Sequence, residues 1–371
     1  MAGKGVGAEA PGTVRLHRKA AMFCGILCDM KPIATANYDF EKLITGGSVY
    51  VDKTDMLWKL ASSKDAIYFI SRPRRFGKSL MLSTLKYLFQ GKKKLFKGLK
   101  IEKKRWNWSQ TYPVIDLNMS DFDKEGTREG FVRSLTTTLQ ERLEKEEIPY
   151  KKSDAPGLLF DRLIKGLAAA NKDDKRVVVL VDEYDHPLGG LLDDRRALRA
   201  MRREMHGFYS TLKNNVGVIR FLMMTGVSKF TKLSVFSGLN NLTDLTMDAR
   251  AADLLGYTHE EVLANFPEHL DALAAKLGTD RDAAFARLVQ WYDGYKFHHS
   301  AKSVINPVSL GLCFQKNDFA NYWSQTAMPT FLVDILKRHP LDFSNIEIDE
   351  EELKKHAVTP AENRGLFCAL I

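Results

Sequence analysis

Lys78, Ser79, Asp182 and Glu183 are four residues whose types and settings fit a single reaction centre. Lys78 and Ser79 close the stretch Ser71-Arg72-Pro73-Arg74-Arg75-Phe76-Gly77-Lys78-Ser79. An apolar run, Ala66-Ile67-Tyr68-Phe69-Ile70, precedes it, and a helix-like run from Leu80 to Phe89 follows. Strand, tight loop, Gly-Lys-Ser and helix make a phosphate-binding P-loop, because loop amides and a helix N-terminus offer partial positive charge to a polyphosphate. On this reading Arg72, Pro73, Arg74, Arg75, Phe76, Gly77, Lys78, Ser79 and Leu80 cradle a nucleoside triphosphate. Lys78 reaches the outer phosphates and the Ser79 hydroxyl ligates Mg²⁺. Arg72 stands where the usual pattern has its first glycine. The loop must therefore turn by another backbone route, with Pro73 fixing the next φ. The tripeptide alone also fits a basic turn that caps an amphipathic helix.

The second pair of residues ends the run Val177-Val178-Val179-Leu180-Val181-Asp182-Glu183. Consecutive β-branched residues read as a strand buried on both faces. An ionised carboxylate near a core is costly unless it is paired or bound to metal. In P-loop ATPases this is the Walker B strand: Asp182 holds Mg²⁺, and Glu183 orients and polarises the attacking water. The bland reading is a buried strand that leaves the core through an acidic turn. A third apolar run, 217–224, ends in Thr225-Gly226-Val227-Ser228, where Thr225 or Ser228 could contact the γ-phosphate or the water. His186, just after Asp182-Glu183 and before Pro187, could contact substrate but reads first as a capping or packing residue.

Tyr50-Val51-Asp52-Lys53-Thr54-Asp55, Arg72 to Ser79, Val181-Asp182-Glu183-Tyr184-Asp185, Thr225 to Phe230, Phe236 to Leu242, Trp291-Tyr292-Asp293-Gly294-Tyr295, Asn306-Pro307 and Tyr322-Trp323-Ser324 form an ordered set. As a set it resembles the AAA-ATPase-like proteins of bacteria, many of which carry a PD-(D/E)XK nuclease-like domain at the C-terminus. The resemblance runs from about residue 38 to 341 and makes Arg72 a family trait. It implies ATP and Mg²⁺ as ligands. The chain stops at Ile371, which leaves no room for a nuclease domain of ~100 residues. A truncated product is the expectation, and nuclease activity is not carried over.

Composition sets outer bounds. The 371 residues and net charge of +9 suit a globular chain of one large domain or two ordinary ones. The basic excess, concentrated in the P-loop arginines and in Lys92 to Arg105, attracts polyanions such as nucleotides and nucleic acid. The lysine stretch also reads as a solvated face, with Trp106 and Trp108 as anchors. Cys24, Cys28, Cys313 and Cys368 are too few and scattered for a disulfide framework, which favours reduced, cytoplasmic thiols. No apolar run approaches the ~20 residues that span a bilayer. Residues before Met30 read as a disordered extension or an over-called start; a signal peptide is the lesser reading.

Around these residues the sequence predicts an α/β fold: a parallel P-loop NTPase sheet flanked by helices, followed by a mostly helical lid. Residues 1–37 are the extension, 38–255 the nucleotide domain, 256–345 the lid and 346–371 an acidic tail. Helices are expected at 127–146, 157–170, 270–277, 281–291 and 329–337, with a capping box at Thr258 to Glu261. Residues 291–297 read as an aromatic corner between helices, and Arg250 and Lys296 as candidate basic sensors. The leading expectation is an ATPase that couples hydrolysis to conformational work. The alternative is a nucleotide-gated binding module for nucleic acid or a protein partner with little turnover; a small-molecule kinase ranks third. Self-association is plausible because such enzymes often take an arginine from a neighbouring subunit.

Overall fold

The structure, a computed structural model, describes residues 30–63, 66–191, 194–227 and 242–322. Its main sheet contains β1 (Ala66–Ser71), β2 (Val114–Asn118), β3 (Val177–Asp182), β4 (Ile219–Gly226) and the short β5 (Thr243–Asp244). The spatial order is β2-β3-β4-β1-β5, and every pairing is parallel. Every residue of β1 and β3 is buried. Strand alternation splits their side chains between two cores. Val177, Val179 and Val181 point into one, and Val178 and Leu180 into the other.

Helices cover both faces. On one side lie α1 (Phe40–Thr45), α2 (Thr54–Ala61) and α3 (Lys78–Phe89), whose Phe40, Leu57, Leu85 and Phe89 are fully or almost fully buried. On the other lie α4 (Arg128–Lys145) and α5 (Pro156–Ala170), within one residue of their sequence expectation at each end. Thr127 caps α4 by accepting from the Gly130 amide, and Pro156 opens α5, where its missing N–H costs nothing. A short turn, α6 (His186–Gly189), leads to α7 (Arg195–Asn214), which packs on α5. Parallel pairing places the carboxyl ends of β1, β3 and β4 together, with Ser71 opposite Gly226 and Val181 opposite Met224. The chain runs from β1 to β2 at the sheet edge, returns through β3 and β4, and crosses β1 to reach β5. The reversal beside β1 leaves a crevice at its carboxyl end, the usual ligand position in open α/β sheets.

Beyond β5 the chain forms a third apolar cluster from α8 (His259–Asn265), α9 (Pro267–Leu277), α10 (Arg281–Tyr292) and α11 (Pro307–Lys316). Both bonds of the Thr258–Glu261 capping box are present. Residues 291–297 differ from the expected corner between helices. After Tyr292 the chain enters β6 (Asp293–Tyr295), which pairs antiparallel with β7 (Val304–Ile305). The helix expected at 329–337, the acidic run 346–352, Ser228 and the residues before Met30 lie outside the described residues.

Candidate functional site

The loop 72–77 leaves β1 and turns into α3 through two left-handed positions. Gly77 has φ of 92° and Arg75 has φ of 63°. The turn is thus made at Arg75 and Gly77, and position 72 needs no glycine. The Arg72 amide donates to the Gly226 carbonyl at 3.2 Å, which holds the loop beside the tip of β4.

Arg72 departs from its expected place among ligand-facing side chains. Its guanidinium is turned into the protein and the residue is 1 % exposed. It donates to the carbonyls of Ser71 (2.8 Å), Thr246 (2.7 Å) and Ala251 (3.0 Å), and lies 3.8 Å over the Phe297 ring. Burying a guanidinium is costly, and these carbonyls together with the ring offset the lost hydration. Phe76, 1 % exposed, packs edge-on against Tyr295 and Phe297. Asn306 donates to the Arg74 carbonyl at 3.3 Å. The loop is therefore fastened to the β6–β7 region, which accounts for the separate motifs around residues 294 and 306. Arg74 and Arg75 are exposed.

Lys78 is buried and donates to the carbonyls of Arg72 and Pro73, both at 2.9 Å. Burial pushes its pKa down, while Asp182, Asp185 and Glu183 support its charge. Ser79 and Asp182, 103 positions apart in sequence, meet through a hydrogen bond of 2.5 Å from Ser79 Oγ to Asp182 Oδ2. Asp182 Oδ1 accepts from the Thr225 hydroxyl and, at 3.0 Å, from the Glu183 amide. Adjacent parallel strands make this possible: β3 ends at Asp182 beside the end of β4, where Thr225 sits fully buried. Gly226 follows because Tyr184 fills its side: a Cβ there would lie 2.4 Å from Tyr184 Cε1.

Glu183 occupies a left-handed backbone position with φ of 49°. A non-glycine residue held there marks stored strain, of order 1–3 kcal/mol. Its carboxylate lies 3.4 Å from His186 Nδ1. The His186 contact holds Glu183 below the usual carboxylate range, and Glu183 in turn raises His186. His186 Nε2 is 4.0 Å from Asp123, whose own carboxyl is raised by burial. The sequence reading treated His186 as a cap or packing residue. His186 follows Glu183 by three positions, but Glu183 sits in a left-handed bend before the helix, so helical spacing carries no signal for the contact. Arg250 is committed to Asp248 (2.6 Å), and Lys296 is exposed.

An apolar pocket adjoins the loop. Arg75, Phe76, Gly77 and Leu80 form one wall, and Tyr50 and Leu255 line it farther in. On the other side, Ser79 and Asp182 open onto a polar depression that also contains Lys86, Asp116, Asn118 and Asp121.

A family model described as "Predicted AAA-ATPase" matches residues 32–236, a little over half of the chain. An "Uncharacterized protein in vnfD 5'region" of Azotobacter chroococcum mcd 1 is 40% identical over 300 residues, covering 80% of this chain and 54% of that protein. The chain thus spans about half the length of the curated relative it matches. A Drosophila structure, ORC bound to AT-rich DNA and Cdc6, aligns with 96% of this chain and 49% of that chain at 12% identity. Its TM-score of 0.29 is too low to bear on the fold. The family model covers more than half of the chain, and the chain belongs to the predicted AAA-ATPase family.

Proposed function

We propose that the protein binds ATP with Mg²⁺ in the loop 72–79 and hydrolyses it, passing the conformational change to the helical segment after residue 256. The observation that carries this is the single network of Ser79, Asp182 and Thr225 at the joined ends of α3, β3 and β4. A hydroxyl and a carboxylate at hydrogen-bond distance suit Mg²⁺, which takes oxygen ligands and few protein donors alongside phosphate. Bound there, Mg²⁺ would neutralise charge on the β- and γ-phosphate oxygens.

The residues of the chain have separable tasks. Lys78 exchanges its two carbonyl partners for phosphate oxygens, which restores the favourable contacts that burial has cost its charge. Amides at the start of α3 have no intrahelical partners and face the same anion. Glu183, ionised and held near the cradle, accepts a proton from the attacking water. Thr225 fixes the Asp182 carboxylate and places a hydroxyl near the terminal phosphate. The apolar pocket beside Gly77 and Leu80 is suited to a nucleobase.

Calorimetric titration with Mg²⁺–ATP tests binding. Heat of binding is expected for the parent and none for Lys78→Ala. Phosphate release tests turnover: Glu183→Gln should retain ATP and lose hydrolysis by ~100-fold or more. Equal rates for parent and Glu183→Gln would show that the base is assigned wrongly. A second reading, nucleotide-gated binding with little turnover, is favoured by the contact of Glu183 with His186. It predicts normal heats and phosphate release no faster than the Lys78→Ala blank.

A further inference from the structure

The helix α7 carries a row of positive charge that the nucleotide site does not use. Its apolar side, Leu198, Met201, Met205, Phe208, Tyr209 and Leu212, is buried against the sheet and α5. Arg195, Arg196, Arg199, Arg202 and Arg203 border one open depression with His206. At 100° per residue these six positions fall within an arc of about 120°. From 195 to 206 they cover about 16 Å of helix axis.

Among the described residues no carboxylate pairs with any of the five arginines. The two nearest in sequence are committed elsewhere: Asp194 caps the helix through the amides of Arg196 and Ala197, and Glu204 binds Arg128. Arg202 is half-buried, and desolvation alone lowers its pKa. Concentrated like charge is unfavourable on its own surface and gains most from a polyanion. The Lys92–Arg105 segment contrasts with this row, since Lys100 contacts Asp52 and Asp55 and Lys104 lies over Trp58.

We infer that the arginine face of α7 is a docking surface for the phosphate backbone of duplex DNA. The row is rigid, and its length of about 16 Å matches the axial span of four to five phosphates on one strand, at ~3.4 Å each. Guanidinium groups bind phosphate oxygens in bidentate fashion. The aromatic residues of α7 are buried, so the row lacks the stacking platforms that single strands use. Its apolar side is already covered, which leaves nothing to insert into a lipid surface. Contacts to phosphate alone carry no sequence information, so binding is expected to be insensitive to sequence.

The test uses the full chain and a labelled duplex of about 25 base pairs, with binding followed by fluorescence anisotropy across a salt series. Parent protein should bind in the micromolar range, with log Kd rising against log salt at a slope of about 4 to 5 for five phosphate contacts. Arg199→Glu with Arg203→Glu should weaken binding at least ~10-fold and lower the slope by about two. Arg199→Lys with Arg203→Lys should keep most of the slope. Lys100→Ala with Lys104→Ala, whose side chains already have partners, should change neither. Nucleotide binding and thermal stability, measured on each variant, should stay at the parent value, which separates this surface from the ATP site. Duplex binding that is absent, or unchanged by the glutamate pair, overturns the inference. So does tighter binding of double-stranded RNA, of phosphatidylserine vesicles or of polyglutamate through the same arginines.

Discussion

Arg72 illustrates how one side chain can replace a glycine without blocking a ligand loop. The usual argument for glycine is conformational, yet the left-handed φ values fall at Arg75 and Gly77. Position 72 is free to send a guanidinium inward, where three carbonyls and the Phe297 face receive it. Restoring the common glycine should therefore harm this protein. Arg72→Gly removes hydrogen bonds to a charged donor worth ~1.5–3 kcal/mol each, offset by relief of the buried charge. A net loss of about 2–4 kcal/mol is expected in urea unfolding; unchanged stability would mean the inward contacts carry no weight. The site was legible where residue type dictates chemistry. Ser79 and Asp182 have few other reasons to follow a strand, and the structure joins them. Arg72 and His186 were not legible, because their partners are backbone carbonyls, an aromatic ring and a strained neighbour that no spacing rule reveals.

Strands and helices explain why the site is held so closely. β3 and β4 end side by side, where Thr225 reaches Asp182 and the Tyr184 ring fills the space beside Gly226. Gly226→Ala would set a methyl 2.4 Å from a ring carbon inside a filled core. The ring or the strand must shift, at about 1–3 kcal/mol. Weaker nucleotide binding is expected together with the lower melting temperature; a variant that loses stability but binds normally would dissociate Tyr184 from the site. The apolar runs made β1, β3 and β4 easy to place, and the 3.6-residue period did the same for α4 and α5. The hairpin β6–β7 escaped notice. Two short strands of two and three residues leave no periodic trace. Their aromatic residues suggested packing without showing against what.

The third cluster has an acid-sensitive anchor. His269, 6 % exposed, holds the Lys31 carbonyl at 3.1 Å and lies among Phe266 and Phe314. Burial lowers its pKa, only partly offset by the Lys31 bond and Glu268. A histidine harder to protonate when folded makes the unfolded chain the better proton acceptor. Stability then falls as pH drops through the unfolded value of about 6.5, and is retained above it. Melting temperatures of the parent should decline between about pH 7 and pH 5 more than those of His269→Gln, which does not titrate. Parallel declines would assign the acid sensitivity to other groups.

The segment after residue 256 meets the nucleotide loop at contacts that can be removed one at a time, so coupling between the two parts can be measured. Phe297 takes the Arg72 guanidinium on its face and the Phe76 ring on its edge. Lys53 bridges from the segment before α2 to Glu261 (2.6 Å) and the Asp253 carbonyl (2.6 Å). Phe297→Ala should free Arg72 and Phe76 together, which loosens the loop that carries Lys78. ATP affinity is expected to fall about tenfold, equivalent to ~1.4 kcal/mol. Lys302→Ala, which removes an exposed ion pair with Glu260 in the same segment, should leave affinity within twofold, since such pairs contribute ~0–1 kcal/mol. Calorimetry on both variants decides between the two possibilities. Equal affinities would reduce the β6–β7 contact to packing. A selective loss in Phe297→Ala would make that contact the route by which an occupied loop repositions the helical segment, because any ligand that orders Lys78 must then also favour one placement of Phe297.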